Sequence, residues 1–298
     1  MPIKTILVAL ALEDDSKRVA DRAIQLANQH KAQLVGTHVI ENLPLLDPGL
    51  PPSIDTAVLA GMIEDQSTLR LQSLLGSAEK PAIIRVEAGK PHDIIASLAA
   101  SHHADLIVIG PGVAKGLREK VFGSTADRVV GCAPCPVLVV RKDAGAPYSR
   151  IAVGVDFSTH AQTAALWASR LSPMASREFL HAFEVPLVFE QTMLKAGTSQ
   201  AEIDRYRDAK ARTARQQIIS MFGAKGRLPK GARARVVHGD AASMLINASR
   251  RRTTDLVAVG TQGANVMARH LLGSVARKVL TGAGCDVLVA PATVDANR

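Results

Sequence analysis

Apolar residues in this chain fall into short runs separated by longer stretches with helical spacing. Runs at 3–10, 33–40, 82–87, 105–110 and 137–141 read as strands. Helical patterns fill 15–29, 56–76, 91–102 and about 123–131. The same succession returns further on, with strands near 150–155, 178–183, 233–237, 255–260 and 286–290. Strands that alternate with helices predict an α/β fold in which parallel strands form a sheet covered by helices on both faces. The crossovers between the strands are expected to be right-handed.

The second succession is a copy of the first. Asp105-Leu106-Ile107-Val108-Ile109-Gly110 matches Asp255-Leu256-Val257-Ala258-Val259-Gly260 at an offset of 150 residues. Gly89 and Gly239, Gly123-Ser124 and Gly273-Ser274, and Cys135 and Cys285 keep that offset. Ile6 to Leu10 matches Ile151 to Val155 at an offset of 145, so residues were added in the second half between its first strand and Gly239. A repeat of this length is a whole domain, which predicts two tandem doubly wound domains over 1–143 and 149–298. The polar, turn-rich segment Lys142 to Pro147 is the expected linker. After strand 2 each half carries an apolar, irregular connection, 43–52 in the first and 185–189 in the second. Each lies at the carboxyl ends of the strands, where such folds bind ligands. Each is either a lid or interface patch, or a packed surface loop.

Composition narrows the picture. Hydrophobic residues make up 47% but aromatic ones only 3%, so the core rests on Val, Ile, Leu and Ala, as buried parallel strands require. No apolar run approaches the ~18 residues of a membrane span, and residues 1–12 lack the features of a secretory signal. A cytoplasmic protein without membrane partners is expected. The net charge of +9 favours anionic partners in general. The basic residues are scattered, however, and stacking aromatics are few, so no nucleic-acid partner is expected. Arg250-Arg251-Arg252 suits a helix end, where cations complement the dipole.

The sharpest chemical pattern lies in the second half. A strand ends at Gly260, Gly263 follows after two residues, and Gly273-Ser274 after nine more. Glycines at 260 and 263 would let backbone approach a ligand and adopt positive φ. The helix opening at Gly273-Ser274 offers free N–H groups to a phosphate, and the Ser274 hydroxyl can either cap that helix or meet a phosphate oxygen. Asp156 follows the apolar run Ile151 to Val155. The loops after strands 1 and 4 face each other across the switch point of a doubly wound sheet, which puts Asp156 opposite Gly260 and Gly263. There it can accept from a ribose hydroxyl, help hold a metal ion, or cap the following helix, a role Ser158 could also fill.

This spacing resembles the ATP-binding motif of the universal stress protein family. The strand-ending Asp of Val155-Asp156-Phe157-Ser158, the Asp-Leu fourth strands and the closing run Pro136 to Val140 are also similar to that family, and the resemblance covers both halves. It implies two tandem Rossmann-like domains, each a five-stranded parallel sheet in the order 3-2-1-4-5. It implies ATP or a related adenine nucleotide as ligand, with Mg as a possible companion, and a role in stress response or signalling. Asp156 would meet the ribose or metal side. Gly260, Gly263, Gly273, Ser274 and Val275 would line ribose and phosphates, and backbone at Ala182 would meet adenine. Members commonly dimerise, so the halves are expected to pair as an intramolecular pseudo-dimer near their fifth strands, with homodimerisation of the whole chain also possible.

The first half departs from the motif. Ala11 stands where Asp156 stands, and Val113 where Gly263 stands, although Gly123-Ser124 survives. It is expected to be a degenerate, structural or regulatory copy. Arg269 and His270 are candidates for a phosphate tail. Cys132-Ala133-Pro134-Cys135 has redox or zinc spacing but no second pair, and its position before the last strand suits a buried slot better. His102-His103 lacks ligand partners nearby. His38 and His181, equivalent in the repeat, are expected to satisfy local hydrogen bonds. No P-loop, kinase signature or Ser-His-Asp set is present, so no catalytic residue is assigned. A slow ATPase or adenylate-transferring enzyme, and a nucleotide-independent scaffold, are the alternatives.

Overall fold

The computed structural model describes residues 2–41, 55–112, 123–263 and 272–291. Its first half runs β1 (Thr5–Ala9), α1 (Ser16–His30), β2 (Gln33–Ile40), α2 (Thr56–Leu75), β3 (Ile83–Ala88), α3 (Pro91–Ser101), β4 (Leu106–Ile109), α4 (Ser124–Cys132) and β5 (Val137–Val139). Its second half runs β6 (Arg150–Gly154), α5 (Thr159–Leu171), β7 (Ser176–Phe183), α6 (Leu187–Lys195), α7 (Gln200–Phe222), β8 (Ala232–His238), α8 (Ala241–Ser249), β9 (Leu256–Gly260), α9 (Ser274–Gly282) and β10 (Asp286–Ala290).

Each half has the strand order 3-2-1-4-5, and the two half-sheets are one. The order is β3-β2-β1-β4-β5-β10-β9-β6-β7-β8 in a ten-stranded sheet. All pairings within a half are parallel, and the single antiparallel pairing joins β5 to β10. There Val137 faces Val289, Leu138 faces Leu288 and Val139 faces Val287. Leu138 and Leu288 are equivalent in the repeat, so a pseudo-two-fold axis passes between them. Each fifth strand would be an edge in an isolated domain, and pairing removes both edges at once.

The core is two continuous layers. On one face α1, α2, α5 and α7 cover Ile6, Val8, Leu34, Leu106, Ile151 and Leu256. On the other α3, α4, α8 and α9 cover Leu7, Val35, Ile107, Ala152 and Val257. Alternate residues of each strand enter alternate layers, as the period of two demands. Across the join, Gln29 and His30 on α1 hydrogen-bond the Leu171 carbonyl at the end of α5.

The linker is anchored by a buried charged cluster. Asp286 at the start of β10 is fully buried. It accepts from the Arg141 and Lys142 backbone N–H groups at 2.6 and 2.9 Å, and from the Tyr148 hydroxyl at 2.6 Å. Arg22 of α1 lies with its Nε 3.4 Å from Asp286 Oδ2 as an ion pair, and its guanidinium stacks 4.4 Å from the Tyr148 ring centre. First-half helix, linker and second-half strand thus share one carboxylate.

The segment 185–189, expected to be irregular, instead opens a helix. Pro186 stands at the N-cap of α6 with φ −55°, and Glu190 in its first turn is gripped by Arg207 of α7 at 2.8 and 2.6 Å. This bidentate pair, with Phe189 against Tyr206 at 6.1 Å, fixes a helix that the sequence pattern alone does not mark. α7 begins with a capping box made by Ser199 and Glu202. The corresponding apolar stretch 43–52 lies outside the described residues. No helix among the described residues is long and apolar enough to cross a membrane.

Candidate functional site

The carboxyl end of the second half-sheet gathers the motif residues. Phe157, directly after Asp156, has φ +64°, and the equivalent Leu12 has φ +61°. A left-handed non-glycine residue is strained, so both copies hold the same sharp turn after their first strand. In the second half that turn is closed by Asp156, whose Oδ1 accepts from the Ser158 N–H at 3.0 Å and hydroxyl at 2.5 Å. Ser158, not Asp156, caps α5 through the Ala161 N–H. Asp156 is thereby oriented rather than consumed as a cap, and its Oδ2 lies over Gly263: a Cβ added there would sit 3.2 Å from it. The Gly273 N–H donates to the Thr261 carbonyl at 2.7 Å, which brings the start of α9 against the same loop. Asp156, Gly260, Gly263 and Gly273 therefore meet across the switch point, as the sequence predicts.

Two physical reasons read from the sequence need correction. Neither Gly260 nor Gly263 adopts positive φ. Gly260 is required by packing, because a Cβ would come within 2.5 Å of His160 Cβ and 2.9 Å of its carbonyl carbon. Ser274 is the first helical residue of α9 and not its cap; Gly273 is the N-cap, with no side-chain cap bond. The capping role therefore falls to no side chain of the N-cap residue, and a helix start of this kind suits an anion. Val275 follows on α9 and packs against the core. Ala182 sits at the end of β7 opposite Val237. It joins the group through its neighbour His181, whose Nδ1–H donates to the Val155 carbonyl at 2.8 Å and whose ring packs tilted against Phe157, centroids 4.6 Å apart. His38 makes the matching bond to the Leu10 carbonyl at 2.8 Å, so both histidines serve locally, as expected. Arg269, His270 and Val113 lie outside the described residues.

His160 is a site residue that sequence reasoning missed. It lies on the first turn of α5, and burial holds its imidazole below its ordinary pKa while Asp156 works in the opposite direction. Its only sequence signal is its place four residues after Asp156.

The first half keeps the frame but not the chemistry. The Gly123 N–H donates to the Pro111 carbonyl at 2.9 Å, matching Gly273 and Thr261. Gly112, with φ +71°, abuts Gly123 so closely that a Cβ would meet its Cα at 3.2 Å. This is the glycine loop position that does need the left-handed region. A cavity of about 470 Å³ opens here, at the carboxyl ends of β1, β2 and β4. Another, of about 460 Å³, lies at the opposite end of the second half-sheet, where Arg233 and Arg251 pair with Glu178. The cysteines form no disulfide. The Cys132 Sγ–H donates to the His92 and Val129 carbonyls, and burial pushes its thiol up. Burial pushes Cys285 up to about 12.

The universal stress protein family model matches residues 2–141 and again residues 147–291. The chain belongs to the universal stress protein family, as a tandem of two domains. A universal stress protein of Thermus aquaticus is 34% identical over 140 residues, 46% of this chain and 98% of its own length. One from Methanocaldococcus jannaschii is 31% identical over 142 residues, 47% of this chain and 82% of its own length. A solved universal stress protein from Archaeoglobus fulgidus superposes along 97% of this chain and 98% of its own with a TM-score of 0.66 at 16% identity, a likeness of fold across both domains. The tandem universal stress protein is thus its own pseudo-dimer.

Proposed function

We propose that the second domain binds an adenine nucleotide, ATP in the first instance, and that occupancy of this one site is the protein's signal in a stress response. The observation that carries the reading is the apposition of Asp156 Oδ2 to Gly263, with an added Cβ only 3.2 Å from the carboxylate. A carboxylate fixed over a glycine loop can accept from a ribose hydroxyl on one side while backbone and the uncapped start of α9 receive phosphate on the other. The residues fit such a ligand. Asp156 and Ser274 would face ribose and phosphate, Gly260, Gly263 and Gly273 leave room for backbone approach, Val275 backs the helix start, and the backbone of Ala182 would meet the base. A magnesium ion accompanying the phosphates would supply charge neutralisation next to Asp156. The chain acts in the cytoplasm, alone or as a pair of chains. Calorimetric titration with Mg-ATP should give about one site per chain, and two equal sites would overturn the assignment to the second domain.

A further inference from the structure

We infer that the second domain carries a further binding site, at the amino ends of β6, β7 and β8, for a small phosphate monoester with a hydroxyl-bearing body, a sugar phosphate in kind. It lies at the opposite end of the strands from Asp156 and Gly263 and does not rest on the nucleotide reading. The two halves differ here in a way that the fold does not require. In the first half the register sets Leu7 beside Val35 and Val35 beside Ile83, an apolar row packed under α3. In the second half the same row reads Ala152, Glu178 and Arg233. Just past the covering helix, Arg251 stands where the first half has Ser101, 150 residues earlier. The Glu178 side chain is only 11% exposed, and it is held by Arg233 at 3.2 Å and Arg251 at 3.5 Å. An ion cluster of this kind is often no more stabilising than apolar residues of similar size, and the first half has the apolar row in place. Stability gives no reason for the exchange.

A cavity of about 460 Å³ opens at the exchanged row, with Arg150, Ser176, Glu178, Arg233 and Thr253 in its lining. That volume is within the range of small-molecule sites. Its chemistry is that of an oxyanion site. Arg233 meets Glu178 through Nε, and Arg251 meets it through Nη1. Glu178 thus holds both guanidinium groups in place, while the Arg233 terminal nitrogens and Arg251 Nη2 have no partner among the described residues. Guanidinium groups fixed in this way match phosphate oxygens. The loops that lead into β8 and β9 add Lys225, Arg227, Lys230, Arg250 and Arg252, all exposed. The one carboxylate in those loops, Asp255, is taken up by Ser149 and Arg150. The surplus of positive charge suits a phosphate monoester, which carries about −1.5 to −2 near neutral pH. No aromatic ring lines the cavity for a base to stack on, whereas Ser176 and Thr253 are exposed and offer hydroxyls. The lining therefore favours a sugar or polyol body over a nucleobase.

The test is calorimetric titration of the full chain with glucose 6-phosphate, and with glucose as the uncharged probe. Glucose 6-phosphate should bind at about one site per chain, and glucose should not bind. Arg233→Gln should weaken glucose 6-phosphate by about tenfold or more, the loss of a charge-assisted contact. Ser176→Phe adds bulk on the lining without changing charge and should weaken it at least as much. Arg70→Gln, an equal change of charge on an exposed position of α2 in the first domain, should leave it as it was. Gly263→Val, at the other end of the strands, should also leave it as it was, and Arg233→Gln should leave Mg-ATP binding unchanged. No binding of glucose 6-phosphate, glucose bound as tightly, no effect of Arg233→Gln, or an equal effect of Arg70→Gln would each overturn the proposal. Loss of glucose 6-phosphate in Gly263→Val would place the ligand in the nucleotide cleft and overturn it as well. If the chain binds no Mg-ATP while glucose 6-phosphate still depends on Arg233 and Ser176, the nucleotide reading falls and this one stands.

Discussion

Asp127 and Arg277 hold the same place in the two domains, 150 residues apart, and they pair with each other across the join. Arg277 Nε and Nη2 each lie 3.3 Å from a carboxylate oxygen of Asp127. They sit in the first turns of α4 and α9. A pair of identical domains would bring the same side chain together at this point, Asp on Asp or Arg on Arg. Fusion into one chain let the two copies take opposite charges, so the contact favours partners within the chain over two equal copies of either domain. Because Arg277 is 55% and Asp127 31% exposed, the energy is small. Arg277→Asp should cost under about 1 kcal/mol, and the double swap Asp127→Arg with Arg277→Asp should recover most of it in denaturant titrations. An additive double variant would show that the pair contributes nothing.

The Asp286 cluster is where the fold is most vulnerable. Asp286→Ala leaves Arg22 buried without its counter-charge and frees the Tyr148 hydroxyl and two linker N–H groups. Breaking a buried pair of this kind costs about 3–5 kcal/mol, enough to unfold a marginal protein. Tyr148→Phe removes one hydrogen bond and should cost about 1–2 kcal/mol. Equilibrium unfolding in urea separates the two, and equal costs would mean that Asp286 matters only through Tyr148.

The same cluster sets an alkaline limit. Burial, and then Asp286, hold the Tyr148 phenol well above its ordinary pKa, and burial raises Cys285 to about 12. A raised folded pKa means that the neutral form is favoured in the native state. Its contribution is complete below the unfolded values, about 8.5 for cysteine and about 10 for tyrosine, and is lost as pH climbs above them. Stability should therefore fall from about pH 9 upward, and the fall should be shallower in Tyr148→Phe. An unchanged alkaline slope would remove Tyr148 from this account.

Much of this arrangement was legible in the sequence because it depends on local pattern. Runs such as 105–110 and 255–260 alternate into two layers whatever surrounds them, and the repeat fixed which loops face each other, hence Asp156 over Gly263. The rest depends on tertiary partners. α6 reads as irregular until Arg207, from the next helix, reaches Glu190. Gly260 reads as a flexible loop residue until α5 brings His160 against it. Thr37 reads as one more strand position until the fold buries it at the place that Leu180 fills in the other half, with its hydroxyl unmatched.

His160 reports on the site directly. Its pKa is lowered by burial and partly restored by Asp156. The neutral ring is therefore the native form, and this contribution is present above the unfolded value near 6.5 and lost as pH falls through the lower folded one. Asp156→Ala removes the opposing charge, so the His160 pKa should fall further in an NMR titration. A rise, or no change, would show that the carboxylate does not face the ring.

The central prediction concerns two glycines that a motif would treat alike. At Gly260 a methyl group would press into the Cβ and backbone of His160, at 2.5 and 2.9 Å. Backbone cannot swing aside, so α5 must move. Gly260→Ala should destabilise the second domain by about 1–3 kcal/mol or more, and any loss of ligand should follow from that. At Gly263, among the described residues, the methyl would meet the end of the Asp156 side chain at 3.2 Å, which can rotate away. Gly263→Val should leave the melting temperature nearly unchanged while adding bulk where backbone is proposed to meet phosphate, so Mg-ATP affinity should collapse. Asp156→Ala should weaken Mg-ATP by about 10- to 200-fold, the loss of one charge-assisted hydrogen bond at about 1.5–3 kcal/mol. Gly112→Ala and Ser124→Ala in the first domain should barely change it. Thermal unfolding and calorimetry on the same samples distinguish the effects. If Gly263→Val keeps full Mg-ATP affinity, the carboxylate and its loop do not bind the nucleotide, however well they are placed to do so.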